Sequence, residues 1–187
     1  MGWRLIFDLP GVDKIVVVFY PHTSNWDFVI GLLTKFGLGV PVTWAGKDNL
    51  FRWPLTPLWT RLGGIPINRR EHTGFVKQMA AEFARRKVMM LAIAPEGTRR
   101  RTAYWKSGAY RVALAAGVPL GLAFIDYRTR EIGVGGQLQL TGDVAVDFAA
   151  LRAFYAGKSA RHADQAGPIA LKPDSDTFHH ATEMRDA

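Results

Sequence analysis

Short apolar runs alternate along the chain with stretches of helical spacing, and this alternation constrains the fold more than any other feature. Lys14–Tyr20 reads KIVVVFY, a β-branched and aromatic run that predicts a strand buried on both faces. The stripe of an amphipathic helix is marked by Phe75, Met79 and Phe83, four residues apart, within residues 73–87. Strands that alternate with helices predict an α/β fold: a single-domain sandwich with a central, largely parallel or mixed sheet flanked by helices.

The same signals place the remaining elements and suggest where a ligand would bind. Helices are predicted after the caps Ser24 and Ser107, the second ending at Ala116, and strands over residues 40–45, 65–68, 88–94, 118–125 and 132–140. Polar clusters follow three of the strands, at residues 22–27, 68–70 and 96–101. Ligands of parallel sheets bind beyond the carboxyl ends of the strands. If those strand ends share one edge of the sheet, the three clusters converge on one site.

The length of 187 residues fits one compact domain, and the chain contains no cysteine. The missing cysteine excludes disulfides, thiolate nucleophiles and zinc sites built on cysteine. No metal site is predicted, because His162, His179 and His180 lie in a polar segment without the spacing of metal ligands. We expect a domain over residues 1–156 and a loosely packed polar tail over residues 157–187.

Positive charge is concentrated in one part of the chain. The formal net charge is +8, and residues 61–111 carry 12 Lys/Arg against 3 Asp/Glu. This concentration indicates an anionic partner: a phosphate-bearing substrate, an acidic membrane surface or nucleic acid. The longest stretch without a charged residue spans only the 14 positions from Val112 to Ile125, whereas a membrane span needs about 20. We therefore expect a soluble or membrane-peripheral protein.

Aromatic residues accompany basic ones in the segment from Trp44 to Trp59. It holds three of the six tryptophans, together with Phe51 and Arg52. Aromatic rings beside cations suit the headgroup layer of a bilayer. An ordinary core with a proline-bent loop explains the segment equally well.

His22 and Asp27 form the first candidate for chemistry. A carboxylate on one imidazole nitrogen fixes the tautomer and raises the basicity of the other nitrogen, which yields a general base. The alternative is structural, because Ser24 and Asp27 also form a capping box that stabilises a helix without any chemistry. None of the four serines lies in a G-x-S-x-G elbow, so a base at His22 would deprotonate a hydroxyl on a bound substrate.

The arginines that follow the strands are candidates for binding phosphate. Guanidinium groups bind phosphate oxygens in a bidentate manner and stay charged at any working pH. Arg69 and Arg70 follow a short strand, and Arg99 begins a run of three arginines after Pro95-Glu96-Gly97-Thr98. Solvated surface charge is the alternative for each, and it is favoured for Arg100 and Arg101.

In this order, the clusters resemble the motif blocks of the glycerolipid acyltransferase family, which includes 1-acyl-glycerol-3-phosphate acyltransferases. HTSNWD, from His22 to Asp27, resembles the H-x4-D block of the family. GGIPINRR at residues 63–70 resembles its second block, APEGTR at residues 94–99 its third, and Val118-Pro119-Leu120 the start of its fourth. Four blocks in the correct order are more specific than any one of them.

The resemblance implies an O-acyltransferase that moves a fatty acyl group from acyl-CoA or acyl carrier protein to the hydroxyl of a lysophospholipid. His22 would be the general base and Asp27 its partner. The acceptor site would include Arg69, Glu96, Gly97, Thr98 and Arg99, with Lys47 as a further phosphate contact. No cofactor is implied beyond the acyl donor, which is a co-substrate. Residues 1–156 would be the acyltransferase domain.

Three positions depart from the family pattern and leave the acceptor open. Pro66 and Asn68 stand where an aromatic and an acidic residue are common, and Ala94 stands where a phenylalanine is usual. A glycolipid or an amino-acid lipid is therefore an alternative acceptor. A non-catalytic basic domain that binds anionic lipid or nucleic acid is the alternative from another class. With the acyltransferase interpretation we expect no nucleic-acid partner and a cytoplasmic protein, peripheral on the inner face of an anionic membrane.

Overall fold

The computed structural model describes residues 2–9, 11–67 and 72–172 of the chain. The strands are β1 (Arg4–Phe7), β2 (Lys14–Tyr20), β3 (Val42–Lys47), β4 (Gly64–Ile67), β5 (Met89–Ile93), β6 (Leu120–Asp126) and β7 (Glu131–Leu138). The helices are α1 (Asn25–Leu38), α2 (Thr56–Arg61), α3 (His72–Arg85), α4 (Gly108–Ala116) and α5 (Val144–Tyr155), with short 3-10 turns at Asp48–Leu50 and Ala163–Gln165.

All seven strands form one mixed sheet in the order β1-β7-β6-β2-β5-β3-β4. The pairs β2–β6, β2–β5, β3–β5, β3–β4 and β1–β7 are parallel, and only β6–β7 is antiparallel. The carboxyl ends of β2, β3, β4, β5 and β6 therefore meet at one edge. The predicted fold class, an α/β sandwich with a largely parallel or mixed sheet, is confirmed.

Two apolar clusters hold the sheet between its helices. Side chains that alternate along β2 point to opposite faces. Val16 and Val18 belong to the larger cluster, with residues from α3, α4 and α5 such as Met79, Val112 and Leu151. Ile15 and Val17 belong to a smaller cluster on the other face. Every residue of β6 is buried, which the uninterrupted apolar run from Leu120 to Ile125 predicts.

Predicted and observed elements agree best where the local signal is strongest. β2 has the predicted bounds, and α1 begins directly after the predicted cap Ser24. Ser107 does occupy the N-cap of α4, but its side chain makes no capping hydrogen bond. β1, α2 and α5 were not predicted from the sequence. Pro57, one of the prolines that indicated a bent loop, lies in the first turn of α2. Its missing N–H costs nothing there, because the first N–H groups of a helix have no partner within the helix.

Residues 157–172, which belong to the segment predicted to be a loosely packed tail, make specific contacts with the sheet and its loops. Trp105 forms an isolated parallel bridge with Leu171, and the hydroxyl of Tyr20 donates to the carbonyl of Gly167 at 2.8 Å. The backbone N–H of Tyr127 donates to the carbonyl of Ser159 at 2.9 Å. This part of the chain passes beside the carboxyl edge of the sheet; residues 173–187 lie outside the described residues.

Candidate active site

Asp27 organises the turn between β2 and α1. It lies in the first turn of the helix, and its Oδ2 accepts hydrogen bonds from the backbone N–H groups of Thr23 and Ser24, both at 2.7 Å. The side chain of Ser24 in return accepts from the N–H of Trp26 at 3.2 Å. The capping box suggested by the sequence is therefore present.

The same carboxylate also faces the imidazole of His22. His22 Nδ1 lies 3.4 Å from Asp27 Oδ2, within the distance of an ion pair but without the geometry of a hydrogen bond. The Asp27 side chain is 1% exposed and that of His22 is 16% exposed. Burial alone would raise the pKa of Asp27, but the proximity of His22 and the hydrogen bonds from Tyr127 and Ser24 outweigh it and hold that pKa below its usual value. An ionised partner on Nδ1 leaves Nε2 as the nitrogen for proton transfer.

Tyr127 completes the surroundings of the carboxylate and was missed by sequence reasoning. Its hydroxyl donates to Asp27 Oδ1 at 2.6 Å, although the two residues are 100 positions apart in the chain. Burial, followed by this hydrogen bond to Asp27, raises the pKa of Tyr127. A tyrosine after a strand carries no motif signal, and only its position at the carboxyl end of β6 hinted at the site.

Glu96 contacts the backbone of His22 and does not line the cleft. Its Oε2 accepts from the backbone N–H of His22 at 2.9 Å, and its Oε1 accepts from the N–H of Gly167 at 3.2 Å. The side chain is 1% exposed and does not line the cleft described below. Burial raises the pKa of Glu96, although the two backbone donors oppose that shift. The carboxylate is sequestered from the cleft, and its contact with the acceptor stays a prediction.

The residues after Glu96 do reach the site. Gly97 adopts φ 64°, a left-handed conformation that favours glycine, and the turn brings Thr98 and Arg99 to the wall that also carries His22. Both side chains are exposed. Arg101 instead donates to the backbone carbonyl of Ala166 at 3.1 Å, so it fastens the C-terminal segment.

The other predicted phosphate contacts fall where side chains are not described. Lys47 ends β3 at the carboxyl edge of the sheet, but its side chain lies outside the described part of the structure. Arg69 and Arg70 lie in the segment between β4 and α3 that is outside the described residues. Within the described ranges, the structure brings together His22, Asp27, Gly97, Thr98 and Arg99.

A large cleft opens in front of His22, with a volume of about 1380 Å³. One wall consists of apolar side chains from α1 and the facing sheet, including Phe28, Leu32, Val17, Phe19 and Ala92. Polar and basic groups line another part, including Arg99, Lys106 and Arg111. The cleft therefore combines an apolar surface with basic side chains.

The aromatic segment from Trp44 to Trp59 has a half-buried part and an exposed part. Trp44 and Trp59 pack edge to face at 6.0 Å, and Trp44 also contacts Phe28 at 5.1 Å between ring centroids. Trp53, in contrast, is 88% exposed. Two of the three tryptophans are thus half-buried in an aromatic cluster, and the third is at the surface.

No group of three His, Asp or Glu side chains is placed to hold a metal ion within residues 2–9, 11–67 and 72–172. In the same ranges, no helix has both the length and the apolar character required to cross a bilayer.

Comparison with known proteins identifies the class to which this fold and site belong. The family model described as Acyltransferase matches residues 10–121, more than half of the chain, so the protein belongs to the acyltransferase family. The family predicted from the four sequence blocks is thereby confirmed, and with it the prediction that the protein is an acyltransferase enzyme.

Among solved structures, the chain is similar to the 1-acyl-sn-glycerophosphate (LPA) acyltransferase PlsC from Thermotoga maritima. The two are 15% identical with a TM-score of 0.50, and the match covers 84% of this chain and 75% of that one. At this identity the similarity establishes a shared fold. A comparison with curated protein sequences gave no match.

Proposed function

We propose that the protein transfers a fatty acyl group from a thioester, carried by coenzyme A or acyl carrier protein, to the free hydroxyl of a lysophospholipid such as 1-acyl-glycerol-3-phosphate. The observation that carries the proposal is the buried Asp27 carboxylate behind His22, at the wall of a cleft that also holds Arg99. Membership of the acyltransferase family limits the chemistry to acyl transfer. The name of the structurally similar PlsC protein supports a lysophospholipid as acceptor.

The proposed reaction is a direct transfer within a ternary complex. His22 Nε2 takes the proton of the acceptor hydroxyl while that oxygen attacks the thioester carbonyl. Asp27 stabilises the imidazolium that forms. The tetrahedral intermediate collapses to the ester and expels the thiolate, which receives the proton from His22. The products are the ester and the free thiol, and the imidazole and the carboxylate return to their starting protonation states.

The two sides of the cleft match the two parts of such substrates. Apolar side chains such as Phe19, Phe28 and Leu32 offer a long surface on which an acyl chain buries its methylene groups. Arg99 at the polar end provides a guanidinium that can hold a phosphate in bidentate fashion. A glycolipid or an amino-acid lipid remains the alternative acceptor, since the Arg69 side chain assigned to the acceptor phosphate is outside the described residues.

We also propose that an anionic bilayer covers the outer face of α1. Trp26, Val29, Leu33 and Phe36 are exposed and fall on one stripe of the helix, opposite the residues that line the cleft. Trp53, before α2, and Leu58, in α2, are also exposed apolar side chains. The described charged side chains from residue 30 to residue 62 are Lys35, Arg52 and Arg61 against Asp48 alone, which favours an anionic partner.

The test of the reaction is an acyl-transfer assay with lysophosphatidate and acyl-CoA or acyl carrier protein, read by mass spectrometry. His22→Ala and Asp27→Asn should lower kcat by about 10²- to 10⁴-fold, the usual contribution of a positioned base. His162→Ala is the matched control, because that histidine is exposed and only its backbone contacts the site. Equal turnover by His22→Ala and wild type would refute the general base. A panel of glycolipid and amino-acid lipid acceptors in the same assay identifies the acceptor class.

A further inference from the structure

The carboxylate of Asp27 is held on both of its oxygens, and the two oxygens have different partners. Oδ2 faces His22 and accepts from the backbone N–H groups of Thr23 and Ser24. Oδ1 accepts the hydroxyl of Tyr127 at 2.6 Å. A neutral donor to a buried anion draws charge away from the rest of the carboxylate, so the strength of one hydrogen bond affects the other oxygen.

Tyr127 is itself fixed by contacts from separate parts of the chain. The ring of Trp3 packs edge to face against it at 5.2 Å, and its backbone N–H donates to the carbonyl of Ser159. The guanidinium of Arg161 lies 6.0 Å from the ring centre. The hydroxyl therefore has little freedom to leave Asp27.

We propose that Tyr127 is a positioning residue, which acts on His22 through Asp27 by setting how much negative charge the carboxylate presents to the imidazole. The inference rests on the proposed function of His22 as general base. The Tyr127–Asp27 hydrogen bond has three further ionisable or charged side chains around it. They are His22, Glu96 and Arg161. The catalytic role stays with His22, and Tyr127 does not need to touch the substrate.

Tyr127→Phe removes the hydroxyl and keeps the ring against Trp3. Without the donor, Asp27 presents more charge to the imidazolium and favours the protonated ring. The acid limb of the kcat/KM profile should therefore move to higher pH, by roughly 0.5 pH unit. Maximal kcat should fall about tenfold, a part of what a positioned base contributes, with the KM for the acceptor unchanged.

The opposite change tests the same inference without removing a hydrogen bond. 3-Fluorotyrosine in place of Tyr127 alone has a more acidic hydroxyl, which is a stronger donor to Asp27. The acid limb should then move to lower pH. This substitution is nearly isosteric, so it remains informative if Tyr127→Phe does not fold.

Tyr110→Phe is the matched control. Tyr110 also donates from a buried hydroxyl to a carboxylate, Asp147 Oδ2 at 2.8 Å, and it does not line the cleft. This control should lower the melting temperature as Tyr127→Phe does, but leave the acid limb in place. A profile for Tyr127→Phe that coincides with that of Tyr110→Phe, or a shift of both Tyr127 variants in one direction, overturns the inference. An active His22→Ala enzyme would instead overturn the proposed function on which it rests.

Discussion

At the scale of single residues, Asp27 shows that a structural and a chemical interpretation of one motif are compatible. Its Oδ2 accepts the two backbone N–H groups of the capping box and lies 3.4 Å from His22 Nδ1. The backbone donors help to keep the carboxylate ionised although it is buried. Helix capping and the orientation of the imidazole therefore depend on the same charge.

Loss of that charge at low pH should destabilise the protein. The pKa of Asp27 lies below the ordinary value of 3.8, so the stability it provides is complete above that value and is lost as the pH falls through the lowered folded pKa. In urea titrations between about pH 4 and pH 2, Asp27→Asn should lose less free energy of unfolding than wild type. The exposed Asp164, changed to Asn, controls for removal of a carboxylate and should follow wild type. Identical pH dependence of wild type and Asp27→Asn would contradict the ionised state.

Glu96 and Arg99 belong to one motif but have different surroundings. Glu96 is buried and accepts backbone hydrogen bonds, whereas Arg99 is exposed and lines the cleft. Glu96→Gln leaves either the N–H of His22 or that of Gly167 facing an amide donor, which costs about 1–3 kcal/mol. It should therefore lower kcat and the melting temperature with little change in the acceptor KM. Arg99→Gln should raise the KM for a phosphate-bearing acceptor about tenfold and leave the melting temperature near wild type. Steady-state kinetics with varied acceptor separates the two, and an effect of Glu96→Gln on the KM would support the predicted contact of Glu96 with the acceptor.

At the scale of elements, the outcome of sequence reasoning followed the strength of local signals. The apolar run of β2 and the capping box of α1 are complete within a few residues, so their limits were predictable. β1 has exposed side chains at the edge of the sheet, such as Leu5 and Phe7, and it is defined by pairing with β7, which is distant in the sequence. Such pairing leaves little trace in a four-residue segment.

The segment after α5 has a low density of aromatic residues, and composition therefore indicated a loose tail. Many of its contacts are hydrogen bonds made by its own backbone N–H and carbonyl groups. Such contacts do not depend on which side chains the segment carries. His162 N–H donates to Thr23 Oγ1, and Gly167 N–H donates to Glu96. These bonds connect the segment to two of the three polar clusters, those at residues 22–27 and 96–101.

Gly167→Ala should loosen this segment. A Cβ at this position would lie 2.4 Å from the backbone carbonyl oxygen of Thr102, so the backbone must shift at the residue whose N–H donates to Glu96. We expect a loss of about 1–3 kcal/mol in the free energy of unfolding, with a decrease in kcat. Gly11→Ala is the control, because a Cβ there meets nothing within 4 Å. Chemical denaturation and the acyl-transfer assay provide both readouts; full activity of Gly167→Ala would show that the contact is dispensable.

At the scale of the whole molecule, sheet topology explains why distant clusters meet. β2 and β5 are adjacent and parallel, so the residues after them, which include His22 and Glu96, come within hydrogen-bonding distance although 74 positions separate them. Alternation of strands and helices was enough to predict this convergence. The contribution of Tyr127 was not predictable, because it depends on the β6–β7 turn passing over α1.

The apolar outer face of α1 is the surface proposed to meet a bilayer, and a single charge placed on it tests membrane binding. Leu33 is 65% exposed, and Leu33→Glu should weaken sedimentation with anionic vesicles by more than tenfold, about 1.5 kcal/mol from lost apolar burial plus electrostatic repulsion. Val146→Glu is the matched control, because Val146 is 54% exposed on α5, which packs on the opposite face of the sheet.

Binding of the wild type should decrease with added salt and with neutral lipid, while acyl transfer to a monodisperse short-chain acceptor should be unchanged in Leu33→Glu. Equal loss of binding in both variants would show that the outer face of α1 has no special part in docking, and a concentration-dependent dimer of the wild type would assign that face to a second copy of the chain.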